Sequence, residues 1–169
     1  FRRVLFRSAF AERGATYLSA EPDPSEMHAG GLDQRASVRA SGQQLPFADN
    51  SFDICLSSNV VEHTSAPWAM CEEMLRVTRP GGRVMCMEFS TVRQPMLRTA
   101  YERYSDRFIP RMGSLIAGDR DSYQYLIESI RRFPDQRTFA GMMENAGFKR
   151  VTYTNFTGGV AALHQGWAL

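Results

Sequence analysis

The middle of the chain, residues 45–90, reads as a strand, a helix and a second strand. Residues 54–56 are apolar, too short for a helix and flanked by polar residues, which predicts a buried parallel strand. Pro67 suits the first turn of the following helix, and residues 80–82 (Pro-Gly-Gly) end it before a second apolar run at residues 84–89. A strand joined through a helix to a parallel strand predicts a doubly wound α/β fold.

The helix of this unit has a predicted cap and a predicted buried face. Ser65 precedes Pro67 and can accept hydrogen bonds from the first turn. Trp68, Cys71 and Leu75 follow at i, i+3 and i+7, a spacing that forms one apolar stripe. We therefore expect all three side chains to pack against the sheet.

The cysteine and histidine residues do not form a metal-binding pattern. Three cysteines lie in predicted strands or on the helix stripe, without a CxxC pair, and three histidines are scattered: Cys55, Cys71, Cys86, His28, His63 and His164. Buried free thiols and no metal are the prediction.

Composition limits the classes of protein that remain. A chain of 169 residues with 43% hydrophobic residues predicts one domain with a core. The net charge of +2 is too small to indicate a protein that binds nucleic acid through its overall electrostatic field. No apolar run approaches the roughly 20 residues that span a bilayer. Residues 1–8 are basic without a following apolar core, so we expect no signal peptide.

The elements before residue 45 are short. Residues 1–13 predict a helix that ends at Gly14, and residues 16–20 a strand. Residues 25–32 predict a helix capped by Ser25, and residues 36–40 a third strand.

The elements after residue 90 are mostly helical. We predict a helix at residues 96–107, a second capped by Asp121 or Ser122, and a third from Asp135 to Gly147. The second carries apolar residues at positions 123, 126, 127 and 130, and the third at 139, 142 and 143. Residues 148–156 and 160–167 predict strands that form an antiparallel hairpin through a turn at residues 157–159.

The residues of three segments resemble those of a known protein family. Residues 45–53 (LPFADNSFD), 58–63 (SNVVEH) and 74–82 (MLRVTRPGG) resemble the class I S-adenosylmethionine-dependent methyltransferases. The resemblance implies a Rossmann-like fold with a mostly parallel sheet, an antiparallel C-terminal hairpin, and S-adenosylmethionine as cofactor. Another Rossmann-like protein is the alternative.

The resemblance also implies where the cofactor binds. Glu21 follows the strand at residues 16–20, where the family places an acid for the ribose hydroxyls, and Asp23 is its close competitor. Ser41 and Gly42 follow the next strand and would bracket the adenine. Ser58 would lie beside the methionine part. All these residues are expected at carboxyl ends of strands, where open α/β sheets bind ligands.

The family's Gly-rich turn after its first strand has no counterpart before Gly14. We therefore expect residues 1–169 to form one incomplete domain that begins within the helix after that turn. Residues 1–8 do not resemble the family and are expected to be an artefact. A non-catalytic fragment that binds no cofactor is the alternative from a different class.

The last third of the chain narrows the resemblance. Residues 88–90 (EFS), 104–148 and 154–169 resemble the ubiquinone/menaquinone biosynthesis C-methyltransferases, the UbiE/MenG family. This implies C-methylation of a demethylmenaquinol or related quinol by a cytoplasmic enzyme, with peripheral contact at the inner face of the membrane. A generic small-molecule methyltransferase with another acceptor remains open.

One departure from that family lies after the fourth strand, where Glu62 and His63 replace an Arg-Asn pair. Either residue can assist proton removal from a quinol hydroxyl, or the pair can simply shape the pocket. No catalytic residue is therefore assigned.

Residues 91–146 are expected to form a helical insertion on the substrate side, with aromatic and Met residues as a lid or as ordinary packing. The basic residues there either form a solvated face or contact anionic lipid: Arg93, Arg98, Arg103, Arg107 and Arg111.

Overall fold

The computed structural model describes residues 13–32, 34–107 and 120–169. The strands are β1 (Ser19–Ala20), β2 (Ser37–Val38), β3 (Phe52–Ser58), β4 (Thr78–Phe89), β5 (Lys149–Phe156) and β6 (Ala161–Trp167). The helices are α1 (Pro24–Ala29), α2 (Pro67–Val77), α3 (Pro95–Arg107), α4 (Arg120–Arg132) and α5 (Gln136–Ala146). Short 3-10 turns occur at Val61–His63 and Thr157–Gly159. The helix predicted at residues 1–13 lies almost entirely outside the described residues.

Two sheets organise these strands. Strands β1 and β2 form a short parallel pair. The larger sheet has the order β3-β4-β6-β5, in which β3 and β4 are parallel while β6 is antiparallel to both neighbours. The predicted strand–helix–strand unit and the C-terminal hairpin are thus confirmed.

The core lies where α2 and α5 pack against the larger sheet. Its buried residues come from both helices, from β4 and from the connections beside them: Val61, Met70, Cys71, Met74, Val84, Cys86, Phe133, Phe139, Met143 and Phe148. Each such apolar side chain stabilises the fold by about 1.5–3 kcal/mol relative to exposure. All three cysteines are free thiols, as predicted.

The predicted cap and stripe of α2 are wrong in part. The N-cap residue is Ala66, not Ser65, and no side chain caps the helix. Pro67 at the first position has no N–H, which leaves one donor fewer to satisfy. The buried face runs through Met70, Cys71, Met74 and Val77, and the Trp68 side chain at the helix start is 51% exposed.

Strand β3 is less buried than the sequence predicts. Ile54 is 51% exposed, and Cys55 and Leu56 are only partly buried. The strand pairs with β4 along one edge, and no other described strand pairs with its second edge. That edge faces a cavity, which exposes side chains that a strand paired on both sides would bury.

The N-terminal elements are shorter than predicted. The strands at residues 16–20 and 36–40 reduce to two residues each. Helix α1 ends at Ala29 and is capped by Asp23, whose side chain accepts from the Ser25 N–H, so the predicted Ser25 cap is wrong. Pro24 supplies the first helical residue, which moves the cap to an earlier position.

The helices after residue 90 follow the predicted pattern more closely. Asp135 caps α5 by accepting from the Thr138 N–H, and Gly147 ends it in the left-handed conformation, as predicted. Asp121 and Ser122 both lie inside α4, whose described part starts at Arg120, so neither occupies the N-cap position that the sequence predicted.

Candidate functional site

A cavity of about 890 Å³ lies between the β1–β2 pair and the open edge of β3. This volume is within the range of small-molecule sites, roughly 300–1,000 Å³. The four residues predicted to hold a cofactor all line it: Glu21, Ser41, Gly42 and Ser58. Asp23 and His63 line it as well. The sequence therefore predicted correctly that these strand ends share one space.

Glu21 and Asp23 have different surroundings at this cavity. Glu21 follows β1 directly, its backbone N–H donates to the Val38 carbonyl at 3.1 Å, and the residue is 7% exposed. The Asp23 carboxylate instead accepts from the Ser25 N–H at 2.7 Å and the Ser25 hydroxyl at 2.6 Å. These hydrogen bonds hold the pKa of Asp23 below its usual value. Asp23 therefore serves α1, whereas the nearly buried Glu21 carboxylate accepts from the Asp23 N–H at 3.3 Å and lies at the cavity wall.

Ser41 and Gly42 belong to a tight loop after β2. The Ser41 hydroxyl accepts from the Gln43 N–H at 3.2 Å, and the Ser41 carbonyl accepts from the Gln44 N–H at 3.1 Å. A β-carbon at position 42 would lie 2.9 Å from the sulfur of Met70. Gly42 thus lets the loop approach α2 closely, and its backbone forms part of the cavity wall.

Glu62 and His63 are neighbours in the 3-10 turn after β3 but face different environments. His63 lines the cavity, and its ring stacks on Tyr125 of α4 with centroids 5.7 Å apart and planes 18° apart. The Glu62 side chain is fully buried and accepts from the Phe89 N–H at 2.8 Å. Burial raises the pKa of Glu62 to about 7.

The structure adds one acid that sequence reasoning missed. Glu88, near the end of β4, is 1% exposed and accepts from the Ser57 hydroxyl at 3.0 Å and the Val60 N–H at 2.9 Å. Burial and the neighbouring Glu62 raise the pKa of Glu88 to about 8. The sequence feature that could have identified Glu88 is that it is a single acidic residue inside the apolar run at residues 84–89.

A second, smaller cavity of about 180 Å³ lies where β4 ends against α3 and α4. Its walls combine aromatic and aliphatic groups with hydroxyls, among them Ser90, Tyr101, Ser105, Leu126 and Ile130. The predicted helical insertion therefore frames a small amphipathic space.

Within residues 13–32, 34–107 and 120–169, no three His, Cys, Asp or Glu side chains cluster as metal ligands. No helix in that part of the chain is both long and apolar enough to cross a bilayer. Two members of the basic run have polar partners, since Arg98 pairs with Glu102 and Arg93 donates to Gln136.

Comparison with known proteins identifies the family. A sequence profile of the ubiE/COQ5 methyltransferase family matches residues 24–168, which include most of the site. The chain belongs to the ubiE/COQ5 methyltransferase family. The resemblance noted in the sequence is therefore confirmed.

Two bacterial members of the family are similar along most of this chain. A Caulobacter sp. (strain K31) protein named ubiquinone/menaquinone biosynthesis C-methyltransferase UbiE is 51% identical over 151 residues, 89% of this chain and 60% of its own length. A Brucella canis protein of the same name is 50% identical over 138 residues, 82% of this chain and 51% of its own length. The chain thus spans about half to three fifths of the length of these relatives.

Solved structures confirm the Rossmann-like methyltransferase fold. A Thermotoga maritima SAM-dependent methyltransferase, described as a possible histamine N-methyltransferase, superposes with a TM-score of 0.70 at 15% identity, over 96% of this chain and 77% of its own. An Archaeoglobus fulgidus SAM-dependent methyltransferase gives 0.68 at 11% identity, over 96% and 80%. At these identities the similarity establishes the fold alone.

Proposed function

We propose that this family member transfers a methyl group from S-adenosylmethionine to a ring carbon of a demethylmenaquinol or a related quinol. The observation that carries the proposal is the 890 Å³ cavity, which gathers Glu21, Ser41, Gly42 and Ser58 at the ends of three strands. The names of the Caulobacter and Brucella relatives support the choice of acceptor.

The side chains around the cavity suit the parts of this cofactor. The carboxylate of Glu21, nearly buried at the cavity wall, would accept hydrogen bonds from the two ribose hydroxyls. The Ser41–Gly42 loop lines the cavity and would place its backbone beside the flat ring of the cofactor. Ser58 lies at the end of β3 and would hold the methionine part of the cofactor. The residues present therefore fit the group.

In this reaction the protein mainly has to align the acceptor carbon with the methyl group. The bound sulfonium supplies an already activated methyl group, so the chain has to hold the acceptor carbon in line and exclude water. A quinol carbon becomes nucleophilic when its hydroxyl loses a proton, which requires a base or an ordered water. His63 lines the cavity and has a side chain suited to that step.

The acceptor side is proposed to be residues 91–146. Helices α3 and α4 frame the 180 Å³ cavity beside the end of β4, and α4 also contacts the turn that holds His63. The apolar groups of this smaller cavity suit an aliphatic substituent of the acceptor, whose hydroxylated ring we place in the 890 Å³ cavity that His63 lines. Residues 108–119 of this segment lie outside the described part of the chain.

Radiolabelled methyl transfer from S-adenosylmethionine to a panel of acceptors tests the proposal. The full chain should label a demethylmenaquinol on a ring carbon when the quinone is reduced first, and should not label the oxidised quinone. A Glu72→Gln chain is the matched control, because Glu72 is exposed on α2 and is not part of the cavity lining.

The site of the label separates the alternatives. Label on a phenol oxygen or on a non-quinone acceptor, with none on a ring carbon, would favour a generic small-molecule methyltransferase. No transfer to any acceptor, together with no cofactor binding, would favour a non-catalytic fragment.

A further inference from the structure

We propose that Glu62 and Glu88 share one proton and together position His63 as the base that takes the hydroxyl proton of the acceptor. This inference rests on the proposed function for the identity of the acceptor. Glu62 and Glu88 are positioning residues, and His63 is the group that touches the acceptor.

The two carboxyl groups are held together by the ends of two paired strands. Glu88 accepts from the Ser57 hydroxyl at 3.0 Å and the Val60 N–H at 2.9 Å, and so ties β4 to the end of β3. Glu62 reaches back in the opposite direction and accepts from the Phe89 N–H at 2.8 Å. These reciprocal bonds fix the 3-10 turn against β4.

Two buried carboxylates in contact do not both stay ionised. The Glu62 side chain is fully buried and Glu88 is 1% exposed, so water does not screen their repulsion. Glu62 accepts from the N–H of Phe89, the residue after Glu88, and Glu88 accepts from the N–H of Val60, two residues before Glu62, so the two acids approach each other at the turn. Burial raises the pKa of both groups, and the charge of Glu62 adds to the rise at Glu88. The pair therefore retains a proton near neutral pH and carries at most one net negative charge.

That charge lies next to His63. The Glu62 Oε1 atom is 3.6 Å from His63 Nε2, and no N–H or hydroxyl of the described residues donates to this oxygen. A proton on Nε2 that faces Glu62 leaves Nδ1 as the basic nitrogen of the ring. Stacking on Tyr125 holds the ring at the cavity wall.

Among the residues that the structure describes, the other titratable groups around the cluster do not replace its charge. Cys86 of β4 and Cys71 of α2 are buried, which raises the pKa of both thiols and keeps them neutral. On α4, Tyr125 faces the His63 ring, while Glu128 is exposed and engaged by Gln124 and Arg132. On β3 the neighbouring group is the neutral hydroxyl of Ser57.

The proposed step balances without a further reagent. The hydroxyl proton of the quinol moves to His63 Nδ1, and the adjacent ring carbon forms a bond to the methyl carbon of the sulfonium donor. The methyl–sulfur bond breaks, and sulfur keeps the electron pair as a thioether. The methylated carbon then loses its proton to solvent, the ring regains aromaticity, and His63 returns its proton to the oxygen. One proton is released overall.

NMR titration of the histidine ring signals in the full chain tests the pairing without relying on activity. Glu62→Gln removes the charge beside His63 and should lower its titration midpoint by about one pH unit. Glu88→Gln removes the competing acid, leaves Glu62 ionised, and should raise the midpoint. Gln keeps a side-chain oxygen for the Val60 or Phe89 N–H, so the turn retains its backbone bond. Glu72→Gln is the control variant and should leave the titration midpoint of His63 unchanged. The signal of His28 is the internal control and should be the same in every variant.

A structural role alone would not produce shifts of opposite sign. Shifts of the same sign in Glu62→Gln and Glu88→Gln, or none, would overturn the pairing. If either variant unfolds, the unsubstituted chain decides: its His63 signal should show a second inflection as the shared proton is lost, and a single inflection would contradict the inference.

Kinetics in the full chain test the base. His63→Gln should lower kcat by about 100-fold with little change in KM, and Glu62→Gln should move the acidic limb of the pH–rate profile together with the NMR midpoint. An unchanged kcat in His63→Gln would defeat the role of His63. Opposite NMR shifts without quinol methylation would leave the pairing intact and refute only the proposed acceptor.

Discussion

Arg76 Nη1 donates a hydrogen bond of 2.8 Å to the carbonyl oxygen of Phe47, which lies 29 positions earlier in the chain. The same guanidinium donates to the Leu45 carbonyl at 2.9 Å and to Asp49 at 2.8 Å, while Glu73 holds it from within α2. One side chain of the helix thus fixes the segment before β3.

This arrangement predicts that Arg76→Lys lowers the melting temperature. A lysine ammonium cannot match the planar fork that serves several acceptors at once. Arg79→Lys is the matched control, because exposed Arg79 forms an ion pair with Asp53, which is exposed as well. The control should change Tm by no more than about 2 °C, and Arg76→Lys by at least twice that. Equal changes in thermal scans would show that the segment is held by other contacts.

Two glycines predict opposite effects of the same substitution. Gly159 has φ of +104° and a β-carbon there would lie 2.7 Å from the Thr91 carbonyl oxygen, so Gly159→Ala should destabilise by about 1–3 kcal/mol. Gly141 lies inside α5, where an added β-carbon would meet no other atom within 4 Å, so Gly141→Ala should stabilise by about 0.5–1 kcal/mol. Urea denaturation measures both. A stable Gly159→Ala chain would refute the close approach at Thr91.

The buried ring of His164 is expected to make the fold less stable in mild acid. Its ring is fully buried, Nε2 lies 2.9 Å from the Gln136 carbonyl oxygen, and burial lowers its pKa. Because the unfolded chain binds the proton more readily, the stabilisation is complete above about pH 6.5 and falls as pH drops toward the folded pKa. The loss is about 1.4 kcal/mol for each pH unit between the two values.

Denaturation at several pH values checks this contribution. Between about pH 7 and pH 5, the stability of the unsubstituted chain should fall relative to that of His164→Gln, and this difference isolates His164 from the buried acids, whose raised pKa values act in the opposite direction. A slope that His164→Gln does not alter would assign the acid sensitivity to other groups.

The sequence predicted the elements that local signals define. The limits of helix α5 were predicted correctly because Asp135 and Gly147 cap backbone groups that are only a few residues away in the chain. The cofactor residues were predicted to meet because each follows a strand, and Glu21 and Ser58 do line one cavity. The prediction of Ser65 as the N-cap was wrong by one residue. The helix begins at Pro67 and its N-cap is Ala66, which depends on backbone geometry that the local residue pattern does not reveal.

The carboxyl pair shows what sequence reasoning did not reach. Glu62 and Glu88 meet only because β3 and β4 pair in a register that places Ser58 opposite Met87. That register depends on packing across the whole sheet, so neither acid alone indicates its partner. The exposure of Ile54 is similar, since it depends on which strand edges are paired.

We propose that the cavity beside β1 and β3 holds S-adenosylmethionine through Glu21. Isothermal calorimetry on the full chain tests it most directly, with Glu72→Gln as control. Glu21→Gln should weaken binding by about 1.5–3 kcal/mol, the scale of a lost charge-assisted hydrogen bond, while Asp23→Asn should affect the stability of α1 more than the affinity. Unchanged affinity in Glu21→Gln with a loss of affinity in Asp23→Asn would refute the role of Glu21, and no binding by the unsubstituted chain would refute cofactor binding in this cavity.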